Sequence, residues 1–523
     1  DPVEIAFLFA ADAGVFVAAS AGNSGPTSFT VAHPSPWITT VAAGTHNRDG
    51  AGSVTLGNGA SYSGASLAET AVTAPFIDST TAGLPGADPA AVALCFAAVD
   101  NGGTPVLDPA KVAGKIVLCD RGVTARVNKS LAVQEAGGVG MVLTNTSTNS
   151  LNADFHFVPS VHLQNTARAA VKAYAAMPGA TATVNKGEVV LTAAAPFTAS
   201  FSSRGPLLAG GGDLLKPDLI APGQDILAGV APPNNGGKLF DLYSGTSMSS
   251  PHVAGLAALF KQKYPSWSPM AIKSALMTTG YDVLDGGTPA PNTNPVLIFR
   301  QGAGHVKPNS ALDPGLVYDS GFNDWLALIC ATQPQGLEAT CNALWIAGYS
   351  RDASDLNLAS IAIGDMAGVQ TVKRRVTNVS PKSLTVTPTV TGLVGFNTVV
   401  SPASLTLKPG ETLPFTVSFT RTTATLNAYT GGQLTWTGGG YSVRSPIVVR
   451  PVALAAPSVA AQFTLPTPEP TSLVAERVQS LAFVAPAASP VAEQSSTPTV
   501  PATTPAIGGP SAATSTATPE ATP

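Results

Sequence analysis

Ser244-Gly245-Thr246-Ser247-Met248-Ser249-Ser250-Pro251-His252-Val253-Ala254-Gly255-Leu256 is the stretch on which the reading of this chain turns. Small residues from Ser244 to Thr246 lead into apolar residues at helical spacing, Val253, Leu256, Ala257 and Phe260, so a helix is expected to begin close to Ser247. Pro251 fits the first turn of that helix, where its missing N–H costs nothing; further in it would break the helix. Ser247 then stands at the positive end of a helix dipole, among N–H groups that lack intrahelical partners. A hydroxyl placed there either caps the helix, as most such serines do, or serves as a nucleophile whose attack on a carbonyl generates an oxyanion that the dipole favours.

Around this stretch lie 523 residues, too many for one core, so two or three domains with linkers are expected. The balance of 27 basic and 31 acidic residues leaves a net charge of -4, and no Lys/Arg run could track phosphates, which argues against a nucleic-acid partner. Charged residues make up only 11% while Gly and Pro number 51 and 45, a composition of strands and turns that suits an extracellular protein. The most apolar windows, such as Ile5 to Ala21, are broken by Asp12 and Gly14, so no membrane span is expected. Cys95 with Cys119 and Cys330 with Cys341 form two sequence-local pairs, the natural pairing among the connectivities open to four cysteines. None has metal-site spacing or a His neighbour, so structural bridges in an oxidising compartment are expected, with neither metal nor cofactor. The chain opens on Asp1 without an initiator Met or a signal peptide and runs straight into apparent core, so truncation at the N-terminus is expected.

Asp1 to Ala13 has helical periodicity through Ile5, Leu8 and Phe9, and Gly14 turns it into Val15 to Ala21. That run is apolar on both faces, as a buried strand of a parallel sheet covered by helices would be. At its carboxyl end, where open α/β sheets place ligands, stands Ala21-Gly22-Asn23-Ser24-Gly25-Pro26. Taken alone, Asn23 there reads as a turn residue. Pro36 to Ala43 reads as the next strand. From about Leu84 to Val190 the texture changes to short strands (Lys115 to Cys119, Val139 to Thr144) and helices (Val127 to Ala136, around Thr166 to Ala175), which reads as an insertion. His156 and His162 inside it have no second ligand group at zinc spacing and read as surface or loop histidines. Ser268, Pro269 and Gly280 punctuate one further helix. Alternating strands run from Val372 to about Val452, with turns at Lys408-Pro409-Gly410 and Gly438-Gly439-Gly440, and argue a β-sandwich. Beyond about Ala453 the chain is Pro, Thr, Ala and Ser with few aromatics, too polar to bury a core, and is expected to be disordered.

The string from Gly245 to Ser249, continued by Pro251-His252-Val253-Ala254-Gly255, resembles the nucleophile segment of the subtilisin-like serine proteases. The resemblance implies an α/β fold with a parallel-sheet core and a Ser–His–Asp triad working through an acyl-enzyme on polypeptide substrates, with Ser247 as nucleophile. The Ala-Gly-Asn setting of Asn23 is similar to that of the family's oxyanion-hole Asn, which implies that its amide donates to the tetrahedral oxyanion. Thr198 to Pro206 and Lys216 to Gly223 match family strings that shape the sheet and loops, so Asp218 is expected to be structural rather than the triad Asp. Gly302 to Val306 and Pro314 to Asp319 resemble the close of the catalytic domain in plant-type members. The insertion resembles the protease-associated domain, linked in that family to substrate selection or assembly, and the sandwich resembles the fibronectin type III-like domain. The expected organisation is catalytic domain, first part, 1–83; protease-associated insertion, 84–190; catalytic domain, second part, 191–320; connecting segment, 321–354; fibronectin type III-like domain, 355–452; disordered tail, 453–523.

One departure bears on activity. The family's Asp and His precede the Asn, in an Asp-Thr/Ser-Gly strand end and a His-Gly-Thr-His helix start, and neither string occurs here. His252 lies more than a turn beyond Ser247 on the same helix and is expected to face away; His33 and His46 stand in other contexts. Three readings compete: a fragment of a secreted serine endopeptidase, inactive in this form; a degenerate, non-catalytic binding protein on the protease scaffold; and a structural or adhesive surface protein. Retention of Ser247 together with Asn23 favours the first. Limited proteolysis of the folded chain is expected to remove the residues from about Ala453 onward and to leave the rest resistant; a protected tail would overturn the disorder expected there.

Overall fold

A computed structural model describes residues 1–235 and 237–453, so the tail expected to be disordered lies, from residue 454 onward, outside the described residues. At the centre is a parallel sheet of three strands in the order Ala18–Ser20, Thr39–Gly44, Leu219–Pro222. Thr39–Gly44 is buried along its whole length, as expected of the central strand of a covered parallel sheet. The helix Thr246–Lys263 lays Val253, Ala257 and Phe260 against Val41, Leu219 and Ala221. The helix Pro269–Thr278, capped by the Ser268 hydroxyl on the Ala271 N–H at 2.9 Å, continues the same core.

Two expectations for the first residues are corrected. The strand read from Val15 to Ala21 is only Ala18–Ser20, half-buried, and Val15 is exposed, because this strand is the sheet's edge and pairs on one side alone. The helix Pro2–Asp12 buries Glu4, Leu8 and Ala11, spaced four and three residues apart on one face, and leaves Ile5 and Phe9 exposed. Glu4 faces inward because its carboxylate takes the His33 ring at 3.0 Å and the Ser35 N–H at 3.2 Å.

The inserted unit is an eight-stranded sheet in the order Glu188–Val190, Asp49–Leu56, Ser61–Ala65, Ser160–Leu163, Gly140–Thr144, Ile116–Asp120, Val72–Asp78, Thr181–Val184. Thr181–Val184 also pairs back onto Asp49–Leu56. Three strands that precede residue 84 belong to this sheet, so the expected boundary at 84 falls inside the unit. Two of them, Asp49–Leu56 and Ser61–Ala65, form a local hairpin, and it is joined to the rest of the sheet by distant pairings, Val54 opposite Val184 and Ala65 opposite His162, which no local pattern reveals. The helices Arg126–Glu135 and Asn165–Ala175 cover it, and Cys95 is bridged to Cys119 in the core of one face. His162 is corrected as well, since it lies in the strand Ser160–Leu163 and is 1% exposed, whereas His156 is in a loop as expected, with a side chain 7% exposed and enclosed by polar partners.

The connecting segment consists of two helices, Phe322–Thr332 and Glu338–Ile346, joined by the Cys330–Cys341 bridge, so both cysteine pairs are those expected. The expected β-sandwich follows, a four-stranded sheet facing a five-stranded one. In Val369–Asn378 buried and exposed positions alternate, so Val372, Arg374 and Val376 face inward. Trp436 is fully buried between the sheets, edge-on to Phe415 with centroids 5.0 Å apart. Leu316–Val317, from the end of the α/β part, adds a strand to this sandwich.

Beneath the central sheet Asp218 is 1% exposed and lies 2.7 Å from both Lys216 Nζ and Lys273 Nζ, while the Thr40 N–H donates to it at 2.7 Å. It therefore ties the strand Leu219–Pro222, the strand Thr39–Gly44 and the helix Pro269–Thr278 together, the structural place expected for it. Removing one partner of a buried ion cluster strands the others without compensation. Asp218→Ala is expected to lose about 3–5 kcal/mol in denaturant unfolding, and a loss below about 1 kcal/mol would contradict this reading.

Candidate active site

Ser247 is the second residue of the helix Thr246–Lys263, with Gly245 as N-cap, and its side chain is exposed at the helix start. Pro251 lies one turn later than expected: it is the sixth helical residue, and its missing N–H is the one that would reach the Ser247 carbonyl. The helix runs on through it to Lys263.

Three consecutive residues before Ser247 are each held from a different side. The Ser244 hydroxyl donates to Asp225 Oδ1 at 2.7 Å, and the Gly245 N–H donates to the Gly223 carbonyl at 2.8 Å. Thr246 donates to Asn23 Oδ1 twice, through its N–H and through its hydroxyl, both at 2.9 Å, while the hydroxyl accepts from the Gly22 N–H at 3.1 Å. A backbone N–H can only donate, so the atom facing Thr246 must be the oxygen of the Asn23 carboxamide, and the amino group faces the other way. Asn23 and Ser247 line the same cleft, and a Cβ built on Gly245, between them, would stand 3.5 Å from Asn23 Nδ2. In the first turn the Ser247 N–H has no intrahelical acceptor.

The Asn23 loop is set by the Thr198–Pro206 stretch. Ser203 Oγ accepts from the Ser24 N–H at 3.1 Å, the Ser203 N–H donates to the Gly22 carbonyl at 2.9 Å, and the Gly25 N–H donates to the Phe201 carbonyl at 2.8 Å. Gly22 is at φ +96 and a Cβ there would fall 2.8 Å from Ser203 Oγ, so only glycine fits so close an approach.

A cleft of about 390 Å³ opens beside Ser247, walled by Asn23, Met248 and the 241–245 segment on one side and by Arg126, Val127 and Asp154 of the inserted unit on the other. Arg126 binds Asp154 through two nitrogens at 2.5 and 2.8 Å. Burial works against both charges, yet each holds the other ionised: the Asp154 carboxyl sits below its usual range and the Arg126 guanidinium above. Asp225 differs. Burial raises its carboxyl, opposed by the hydrogen bonds it accepts from Asn152 and Ser244.

All six histidines are among the described residues, and each ring engages a group other than Ser247. His33 meets Glu4, His46 the Asp225 carbonyl, His156 the Ser130 hydroxyl, His162 Asn145, His252 the Met248 carbonyl and His305 the Val306 carbonyl. His252 lines a separate pocket of about 540 Å³. Sequence reasoning singled out Ser247 and Asn23; it missed Thr246 as the group that orients Asn23, and Asp225 and Asn152 altogether. Thr246 was legible in the Gly-Thr-Ser string, whereas nothing in Pro-Gly-Gln-Asp marks Asp225.

Residues 3–304 match the model of the subtilase family, and residues 355–449 match a fibronectin type-III domain. The chain belongs to the subtilase family. It is similar to Subtilisin-like protease SBT1.7 of Arabidopsis thaliana, 38% identical over 479 residues, a match covering 86% of this chain and 61% of the relative. It is also similar to SBT1.3 of the same plant, 37% identical over 483 residues (86% of this chain, 60% of the relative), and to SBT5.3, 38% identical over 481 residues with the same two shares. The chain thus spans about 60% of the length of these relatives.

The approach to Ser247 leaves no room at Gly223. A Cβ there would lie 2.0 Å from Ser249 Oγ, 2.8 Å from the Ala43 Cβ and 2.9 Å from the Gly245 carbonyl oxygen. Gly223→Ala is expected to destabilise the fold by at least about 1–3 kcal/mol, read as a lowered unfolding midpoint; an unchanged midpoint would show that the segment is loosely held.

Proposed function

We propose that this chain is the nucleophile-bearing part of a secreted serine endopeptidase, in which Ser247 Oγ attacks the scissile carbonyl and Asn23 Nδ2 receives the oxyanion together with the Ser247 N–H. The observation that carries this is the fixed orientation of Asn23: its oxygen is taken up by Thr246, so its amino group is left to donate from the wall of the cleft that Asn23 shares with Ser247. A donor preset in this way stabilises charge that exists only in the transition state. Relatives named as subtilisin-like proteases support the reaction class, and polypeptides are the substrates that follow from it. Export is supported by the pairing of all four cysteines, since such bridges persist in oxidising compartments. The inserted unit, taken as a protease-associated domain beginning near Asp49, contributes one wall of the cleft.

The ring partners of the six histidines favour a second reading for the 523 residues taken alone: a scaffold that holds a peptide without cutting it. Peptide hydrolysis needs a histidine to take the Ser247 proton and an aspartate to orient that histidine. Loss of triad members costs on the order of a millionfold in turnover. A serine-directed fluorophosphonate is therefore expected to label the 523-residue chain slowly or not at all. It should label Ser247 rapidly in a polypeptide in which this chain follows a segment bearing the family's Asp-Thr/Ser-Gly and His-Gly-Thr-His strings. In that polypeptide Asn23→Ala is expected to lower kcat by about a hundred- to thousandfold with KM nearly unchanged. Rapid labelling of the 523 residues alone, abolished by Ser247→Ala, would refute the assignment of the base.

A further inference from the structure

Residues 152–154 of the inserted unit reach across to the stretch that carries Ser247. Asn152 is fully buried, and its Nδ2 donates to the Ser244 hydroxyl and to Asp225 Oδ1, both at 2.9 Å. The Ser244 hydroxyl in turn accepts from the Asp225 N–H at 2.8 Å and donates to Asp225 Oδ1, so three groups close on one another. The Ala153 N–H takes the second carboxylate oxygen at 3.2 Å. Asp225 holds φ +54, a backbone conformation that a non-glycine residue keeps only when its surroundings impose it. Asp154 binds Arg126 of the cleft wall.

Asn152 is itself anchored to the middle of its own sheet. Its N–H donates to His162 Nδ1 at 3.2 Å, and His162 Nε2 lies 2.8 Å from Asn145 Oδ1. A ring that accepts at Nδ1 and donates at Nε2 is neutral, in keeping with burial that lowers His162 to about 3. A continuous path of hydrogen bonds therefore runs from the strand Ser160–Leu163 through Asn152 to Ser244, three residues ahead of Ser247.

We propose that Asn152 is a positioning residue for Ser247, through which the inserted unit sets the pose of the 244–247 segment by way of Ser244 and Asp225; this rests on Ser247 being the nucleophile. Ser244 otherwise depends on Asp225 alone, and Gly245 has no side chain to brace against. Occupancy or distortion of the inserted unit is thereby transmitted to the site over a small buried polar junction, made by Asn152 and the Ala153 N–H, which costs free energy when left half-satisfied.

Hydrogen exchange of the 523-residue chain tests the coupling without any catalysis. In Asn152→Ala the amides of residues 244–248 are expected to exchange about five- to tenfold faster, as for loss of the one hydrogen bond that Asn152 makes to this segment, at Ser244, while the 369–451 sandwich is unchanged. Ser244→Ala should speed the 150–154 amides in return, and the double variant should add nothing to either effect. Faster exchange confined to 145–164 in Asn152→Ala would reduce Asn152 to a residue of its own unit and overturn the proposal. If Asn152→Ala does not fold, Ser244→Ala decides from the other side: unchanged amides at 150–154 overturn it. In the triad-bearing polypeptide, Asn152→Ala is expected to slow fluorophosphonate labelling of Ser247 with KM for peptide held constant. Normal labelling in that variant defeats this proposal alone, whereas absence of labelling in the unsubstituted polypeptide defeats the nucleophile reading and the positioning role with it.

Discussion

Asn23 Oδ1 accepts from both the N–H and the hydroxyl of Thr246, and that one pair of contacts joins the loop after the sheet's edge strand to the first turn of the helix that bears Ser247. Two elements more than two hundred residues apart in sequence are brought into register by it. It also orients the Asn23 side chain. A carboxamide has one acceptor end and one donor end, so committing the oxygen to Thr246 commits the nitrogen to the open side. The surrounding glycines follow from this closeness: Gly22 and Gly223 stand where the chains approach within a side chain's reach of each other.

Below that contact the sheet is stiffened from underneath. Asp218 gathers two lysines and a backbone N–H in a place almost closed to water. Such a cluster is costly to bury and adds little over an apolar core, yet it cannot be dismantled one member at a time. It ties the strand leading to Gly223 to the strand Thr39–Gly44 and to the helix Pro269–Thr278. Above the contact, the inserted unit presses residues 152–154 against the same segment. The Ser247 region is therefore held between a charged cluster in the core and a polar junction with a neighbouring unit.

Much of this could be read from residue order. The helix at Ser247 announced itself by apolar spacing, the helix from Pro269 by its serine cap and proline, the sandwich by alternation between turns, and the bridges by two local cysteine pairs. Where reading failed, a non-local partner had decided. His162 looks like a loop histidine until Asn145 and the Asn152 N–H enclose it. Ile5 and Phe9 look like core until Glu4 turns inward to meet His33 and Ser35. The hairpin Asp49–Leu56/Ser61–Ala65 is local, but what joins it to the inserted unit is pairing with Thr181–Val184 and Glu188–Val190, more than a hundred residues later.

The sequence by itself determined what depends on neighbours along the chain: element periods, caps, turns, and the strings that identify the subtilase family. Tertiary structure alone decided which polar atoms face each other. Asn23 acquired its orientation from Thr246, Asp225 its left-handed backbone from Ser244, and Asn152 its reach from His162. Hydrogen bonds are short and directional, so their partners are set by the packing of whole elements to within a fraction of an ångström, and no local pattern of residues carries that information.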